Sequence, residues 1–514
     1  MNGAESLVSS FLQSGLDTCF ANPGTSEMHF VAALDRHPDM RCVLCLFEGG
    51  ASGAADGYFR MSGRVAATML HLAPGFANAI ANLHNARKAG SGIVNVMGDH
   101  ATYHLQYESP LKGDTAGASA VISEWTRVTA SAGDVARDGA AAITAARSGG
   151  GRIATLILPA DTAWGPAEGA VTAAAPPALH RPDEASIAAA ADRLSRGRSA
   201  LLISGPALRA PHLVRAGQIA AATGARLMSP LQVPRLQRGA GHPPIQLQPY
   251  PVDQNLAAHA DLNGIVLCGA NRPVNFFAYP GKPSLPTPPG CIIEDLCLPG
   301  MDVGWTLQAL ADHLELDDDA PFDTTPLDLP ALPTGAMEIA KVADAIAALM
   351  PENAILVNEA VTNGAPILAA TATARPHDLL VTTGGAIGQG LPVATGAAVA
   401  CPDRPVIALS GDGSAMYTLQ SLWTMARERL NVTVLIFANR GYQILRGELA
   451  NLGVTEVGRN AHAMFDVEDP LLDWVALARG HGVPGQRAET ADDLVAALGE
   501  ALATPGPQLI EIVL

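Results

Sequence analysis

Two short apolar runs in the last third of the chain end in residues that could bind an anion through a metal. Val406–Leu409 runs into Gly411-Asp412-Gly413-Ser414, and Val432–Phe437 runs into Ala438-Asn439-Arg440-Gly441-Tyr442. The first of these polar stretches reads as a tight turn. Between the runs Leu419–Arg429 has a helical pattern, and 25 residues separate Gly413 from Asn439. A strand–helix–strand unit crosses over right-handed and leaves its strands parallel. Asp412 and Asn439 are then expected at the same sheet edge. A carboxylate, an amide oxygen and the Gly441 carbonyl make three hard oxygen donors, a set that suits Mg²⁺ completed by phosphate oxygens and water. Glycines allow close backbone approach, and the N–H groups of the turn and the helix start favour an anion. With a net charge of −17, a metal bridge is how this chain would hold a diphosphate.

A second acid stands in "CVLCLFEGGASGAADGYFRMSGR", which begins at Cys42. Glu48 follows an apolar run that reads as a buried strand and precedes a series of small residues. Such an acid either caps the following helix or is a buried carboxyl whose pKa rises because desolvation disfavours its charge. His71 ends "VAATMLHL", as a core residue or as a group that handles protons. "GDHATYH" brings His100 and His104 to another strand end, either as a second proton-transfer pair or as surface residues.

The elements that must position these groups alternate strand and helix throughout. Apolar runs such as "DTCFANPG", "GIVNVMG", "SALLISGP", "GIVLCGA", "AILVNEA" and "QLIEIVL" end in Gly, Pro or polar turns. This pattern predicts doubly wound α/β domains with parallel sheets, whose ligands sit beyond the carboxyl ends of the strands. Two Pro-rich stretches, from Val171 and from Ala320, read as linkers. They divide the chain into segments near 1–172, 183–319 and 336–514.

The chain has 514 residues, 48% hydrophobic and 16% charged, so it can bury large cores. With 32 basic and 49 acidic residues and no basic block, nucleic acid and anionic membrane surfaces are disfavoured as partners. The seven cysteines form no framework. Cys42 and Cys45 are read as buried structural thiols, and the pattern suits a reducing cytoplasm. The N-terminus predicts an amphipathic helix without the basic start of a signal peptide. No apolar run reaches the ~18 residues of a membrane span.

The Gly-Asp-Gly turn followed by Asn439 resembles the cofactor motif of thiamine-diphosphate-dependent enzymes. "FANPGTSEMHF", "LFEGGASGAADGYFR" and "LHLAPGFANAIANLHNA" are similar to the pyrimidine-binding domain of their acetolactate synthase / benzoylformate decarboxylase branch. The resemblance covers the outer segments in sequence and the middle one only in order and length. It implies that Asp412, Asn439 and the Gly441 carbonyl hold Mg²⁺. Gly411, Gly413, Ser414, Tyr442 and Thr362 would contact the cofactor, Thr362 at its diphosphate. Ala438 departs from a frequent Asn without touching the metal ligands. In "TTGGAIGQGLPVATGAA" the Gly385 carbonyl would accept from the aminopyrimidine and Ile387 would wedge between the two cofactor rings. Glu48 would share a proton with the aminopyrimidine N1′, with the small residues after it packing around a cofactor ring.

His71, Thr25 and His100 would serve the substrate, with Phe76, Leu445 and Glu448 shaping its pocket. Thr25 stands where related decarboxylases have a serine, so its methyl would narrow the pocket. Phe276 and Phe277 stand where a His can occur, which departs from benzoylformate decarboxylases. An Arg-Phe-Asp-Asp run of the flavin-binding synthases is missing, and no long tail follows "PQLIEIVL", as a C-terminal lid would require. The expected activity is decarboxylation of a small 2-oxo acid, with or without carboligation to an aldehyde or second 2-oxo acid, in a cytoplasmic homodimer or homotetramer. A synthase-like carboligase is the close alternative. A catalytically silent paralogue is countered by the intact Glu48, Asp412 and Asn439, and a nicotinamide dehydrogenase by the missing dinucleotide fingerprint.

Overall fold

The computed structural model describes residues 1–454 and 456–514. Three sheets follow one another along the chain. The first has six parallel strands in the order Arg41–Leu44, Thr18–Ala21, Ala66–Leu70, Ile93–Asp99, Ile153–Pro159, Trp125–Val128. The second has five, in the order Gln246–Leu247, Arg226–Ser229, Ser199–Ile203, Gly264–Cys268, Ile292–Cys297. The third orders Gly485–Ala488, Gln508–Val513, Val432–Ala438, Val406–Gly411, Ile355–Glu359, His377–Val381 and Leu236–Arg238. Its last strand comes from the central part of the chain and is the one antiparallel member, pairing Gln237 with Asp378.

Every strand the apolar runs predict forms, and the central ones are buried along their whole length. The strands not anticipated lie at sheet edges and carry polar or exposed residues, as in Trp125–Val128, Ile292–Cys297 and Gly485–Ala488. One expectation fails for the same reason. The run from Cys42 is an edge strand with Arg41 and Cys42 exposed, not a buried one. Only Cys45 of that pair is buried, and burial pushes its thiol up to about 12, far from a reactive thiolate.

The small residues after Glu48 allow a close approach between helices. Helix Glu48–Ser62 packs along helix Gly390–Ala400, backbone against backbone. A Cβ on Gly57 would run into the Val393 carbonyl, and one on Gly396 into the Ala54 carbonyl. The composition serves this contact between helices.

Buried polar groups cross the same contact. Arg60 donates from Nε to Asp56 at 2.8 Å, and from its terminal nitrogens to the Val381 carbonyl at 3.0 Å and Thr383 Oγ1 at 2.8 Å. Gln389 Nε2 donates to Asp56 at 2.7 Å. The first and third sheets are thus held together by a hydrogen-bonded layer as well as by apolar packing.

Candidate functional site

Strands Val406–Gly411 and Val432–Ala438 are parallel with Gly411 opposite Phe437. The residues beyond their ends therefore meet. Asp412 Oδ1 accepts from the Gly413 N–H at 2.8 Å, and Oδ2 accepts from the Arg440 N–H at 2.7 Å. Asn439 Oδ1 lies 3.4 Å from the Gly441 nitrogen. Arg440, between them, has φ +55°, a conformation that costs energy and clusters at functional sites. The predicted tight turn is instead the start of a one-turn helix, Asp412–Ala415. Ser414 is buried within it.

Asp412 is 4% exposed. Burial raises its carboxyl pKa, and the charge of Glu511 adds to the shift. Among the described residues it forms no ion pair. A buried carboxylate in that position suits a cation. Asn439 and Gly441 flank the Arg440 whose N–H Asp412 holds, and a carboxylate, an amide oxygen and a backbone carbonyl are the hard donors that suit Mg²⁺. Gly413 has to be glycine, because a Cβ there would lie 2.5 Å from the Tyr442 ring.

The turn carrying Gly385 and Ile387 is gripped by helix Leu72–Ala89. Asn85 accepts from the Ala386 N–H at 3.2 Å and donates to the Ala386 carbonyl at 2.8 Å, and His84 Nε2 lies 3.1 Å from the Gly384 carbonyl. Gly388, at φ +88°, accepts from Thr418 Oγ1 at 2.8 Å. Gly385, at φ +79°, is exposed and faces the Phe276 ring. Thr362 is exposed in the turn Val361–Asn363, whose first residue has φ +47°. Behind these turns lies Glu359, whose carboxylate accepts from the Gln389 N–H at 2.7 Å and Ser410 Oγ at 3.0 Å. Full burial raises its pKa to about 7.

Glu48 opens its helix and is 7% exposed. Its Oε2 accepts from Asn78 Nδ2 at 3.0 Å. Gly75 leaves room for the other oxygen, since a Cβ there would lie 2.8 Å from Oε1. His71 precedes Leu72, which is buried at φ +51°. The His71 Nδ1 lies 2.9 Å from Glu27 Oε2, and Ser26 Oγ donates to Glu27 Oε1 at 2.5 Å. The Glu27 side chain is 2% exposed, so this carboxylate orients the imidazole and directs Nε2 away from itself. Gly24 is needed here too, because a Cβ would overlap the His71 ring.

Thr25, Ser26, His100 and His104 line one cavity of about 310 Å³ with Tyr103 and Trp164. His100 Nε2 lies 3.0 Å from Ser109 Oγ. The structure thus gathers Asp412, Asn439 and Gly441 into one cluster, and Thr25, His100 and His104 into another, with His71 3.3 Å from its Ser26 wall. Phe76 is fully buried in a core cluster. Glu448 accepts from Tyr250 at 3.1 Å and Tyr279 at 2.6 Å, tying the central part of the chain to helix Gln443–Asn451. Leu445, on that helix, is 39% exposed, and Phe276 and Phe277 stack edge-on with centroids 4.7 Å apart.

Sequence reasoning missed Glu27, Ser26, Asn78, Asn85 and Glu359. The "NPGTSE" stretch held a signal for Glu27, an acid placed three residues after a glycine as a turn-capping acid would be. The asparagines on helix Leu72–Ala89 gave none.

Residues 1–119 match the family described as thiamine pyrophosphate enzyme, N-terminal TPP binding domain. Residues 365–512 match the thiamine pyrophosphate enzyme, C-terminal TPP binding domain. A Mycobacterium tuberculosis protein named for an acetolactate synthase large subunit, IlvX, is 48% identical over 518 residues, covering 100% of this chain and 99% of that protein. Benzoylformate decarboxylase of Pseudomonas aeruginosa is 30% identical over 535 residues, covering 97% and 96%. The solved structure of a thiamine diphosphate-dependent 4-hydroxybenzoylformate decarboxylase from Rhodococcus jostii RHA1 superposes with a TM-score of 0.86 at 26% identity, covering 99% and 98%.

Proposed function

The chain belongs to the thiamine pyrophosphate enzyme family, and from that premise we propose that it decarboxylates a small 2-oxo acid with thiamine diphosphate anchored through Mg²⁺. The observation that carries this reading is the buried Asp412 carboxylate, without a cationic partner among the described residues, joined through the Arg440 N–H to the turn that carries Asn439 and Gly441. The cofactor, when bound, supplies the electron sink that lets CO₂ leave. In this reading the chain divides into units at 1–172, 183–319 and 336–514, with the pyrimidine on the first and the diphosphate on the third.

Asp412, Asn439 and the Gly441 carbonyl hold the metal. Gly411, Gly413, Ser414, Tyr442 and Thr362 surround the diphosphate, and Gly385 and Ile387 set the orientation of the rings. Glu48, steadied by Asn78, holds and releases a proton at the aminopyrimidine N1′. His71, oriented by Glu27, presents Nε2 to the substrate and delivers the proton that the product aldehyde needs. Thr25 and His100 position the 2-oxo acid. Among the described residues no hydrogen bond joins Glu48 to the diphosphate edge of its own chain, in keeping with a site completed by a second copy in a homodimer or homotetramer.

A second reading, carboligation of two carbonyl compounds, is favoured by the name of the relative that is 48% identical. Both are tested by loading the protein with thiamine diphosphate and Mg²⁺ and screening 2-oxo acids for CO₂ release, with and without aldehyde acceptors. Release with free aldehyde supports the first reading, and release with a 2-hydroxy ketone or acid supports the second. No release from any acid by cofactor-loaded protein overturns both.

A further inference from the structure

Away from this site, a cavity of about 260 Å³ lies where the central part of the chain meets the third sheet. Pro206, Arg209, Ala210, His212, Arg235 and Gln237 line it. Its polar side chains offer donors and almost no acceptors. Among the described residues no hydrogen bond or ion pair holds the Arg209 guanidinium. Gln237 commits its carbonyl oxygen to the Ala210 N–H at 2.7 Å, and among the described residues its NH₂ group has no partner. His212 packs over Gly304 and can offer an N–H through its choice of tautomer.

The charge is as one-sided as the hydrogen bonding. Asp378 already pairs with Arg235 at 2.6 Å and Arg404 at 2.7 Å. Asp302, which faces His212, pairs with Arg181 at 2.9 Å. The charge of Asp378 reaches Arg209 as well, but that carboxylate is shared with Arg235 and Arg404, so Arg209 has no ion-pair partner of its own among the described residues. Burial and the charge of Arg235 both disfavour its protonated form. A desolvated guanidinium without a counter-ion is unfavourable, and its fork of N–H groups matches oxyanions.

We propose that this cavity binds a small phosphoryl-type oxyanion, either free phosphate or the phosphoryl end of an organic ester. Arg209, His212 and Gln237 donate from separate positions, as the several oxygens of a tetrahedral anion require. The volume falls below the roughly 300–1,000 Å³ typical of sites for larger organic ligands. The site adjoins a junction of three parts of the chain. Arg235, on its wall, also donates to the Arg60 carbonyl at 3.3 Å and the Met61 carbonyl at 2.9 Å, near the end of the Glu48 helix. An anion against Arg209 would give it a counter-charge of its own beside that clamp.

The test uses protein saturated with thiamine diphosphate and Mg²⁺, so that the diphosphate site is filled. Inorganic phosphate, adenosine monophosphate and acetate are titrated by calorimetry at constant ionic strength. Saturable phosphate or monophosphate binding is expected, weakened at least tenfold in Arg209→Met and in Gln237→Leu, with each variant's fold checked by its circular-dichroism melt. Tighter binding of inorganic phosphate identifies the free anion, and tighter binding of the monophosphate identifies an ester. Absence of saturable binding to the parent protein, binding unchanged in a folded variant, or a preference for acetate overturns the proposal.

Discussion

Glu48 and Glu27 are both buried carboxylates in the first part of the chain, and their surroundings give them different work. Glu48 keeps one oxygen on Asn78 and the other beside Gly75, open to a bound group. Glu27 is enclosed by Ser26, the Gly24 N–H and His71, so it can act only through the imidazole. Glu48→Gln is expected to lower decarboxylation by a factor of about 10² or more, the scale of a lost acid–base group, while cofactor affinity measured by tryptophan fluorescence stays the same. Full turnover in that variant would remove Glu48 from the reaction. Glu27→Gln should lower kcat by roughly 10² in steady-state assays and leave cofactor affinity unchanged, because only the orientation of His71 is lost. Asp412 and Asn439 could be found in the sequence because each follows an apolar run at fixed spacing. Glu27 shows in the sequence only as a turn-capping acid, because its part in the site lies in contact with a histidine 44 positions away.

At the scale of elements, turns at strand ends carry the site and buried polar groups hold those turns. Glu359 links the start of helix Gly390–Ala400 to Ser410, two residues before Asp412. Its pKa rises from 4.5 to about 7 on folding, so the folded chain binds the proton more tightly than the unfolded chain. The stability this group contributes is complete below about pH 4.5, falls as pH rises through that window and levels off above pH 7. Urea unfolding from pH 4.5 to 8 should show the difference between the parent protein and Glu359→Gln changing by about 3 kcal/mol. Parallel curves would mean that Glu359 is charged at both extremes. Strand and helix positions were largely legible, because buried parallel strands are continuous apolar runs. The edge strands were not, because one solvated face leaves a mixed pattern. The small residues after Glu48 were legible as a close approach, but the sequence does not say what approaches.

At the scale of the whole molecule, the layer of Asp56, Arg60, Gln389 and Thr383 binds the first sheet to the third within one chain. Among the described residues Glu48 and the diphosphate edge are not joined by direct hydrogen bonds. If sites form between copies, co-expressing inactive Glu48→Gln with inactive Asp412→Ala should restore activity, since mixed dimers hold one site with both residues intact. The activity of purified mixed dimers decides this, and none would be recovered if each chain completes its own site.

The strand Leu236–Arg238 has a consequence for how this polypeptide can be divided. The third sheet borrows its last strand from a part of the chain that precedes the Pro-rich stretch at Ala320. A fragment beginning at 336 would leave the backbone of His377–Val381 unpaired along one side, with four of its five residues otherwise buried. Such an open edge recruits strands from other molecules. The fragment should therefore aggregate when expressed alone, whereas a single protease cut near residue 330 should leave two pieces that co-elute on gel filtration. What reads as a linker in the sequence is slack in a chain whose parts are buttoned together elsewhere.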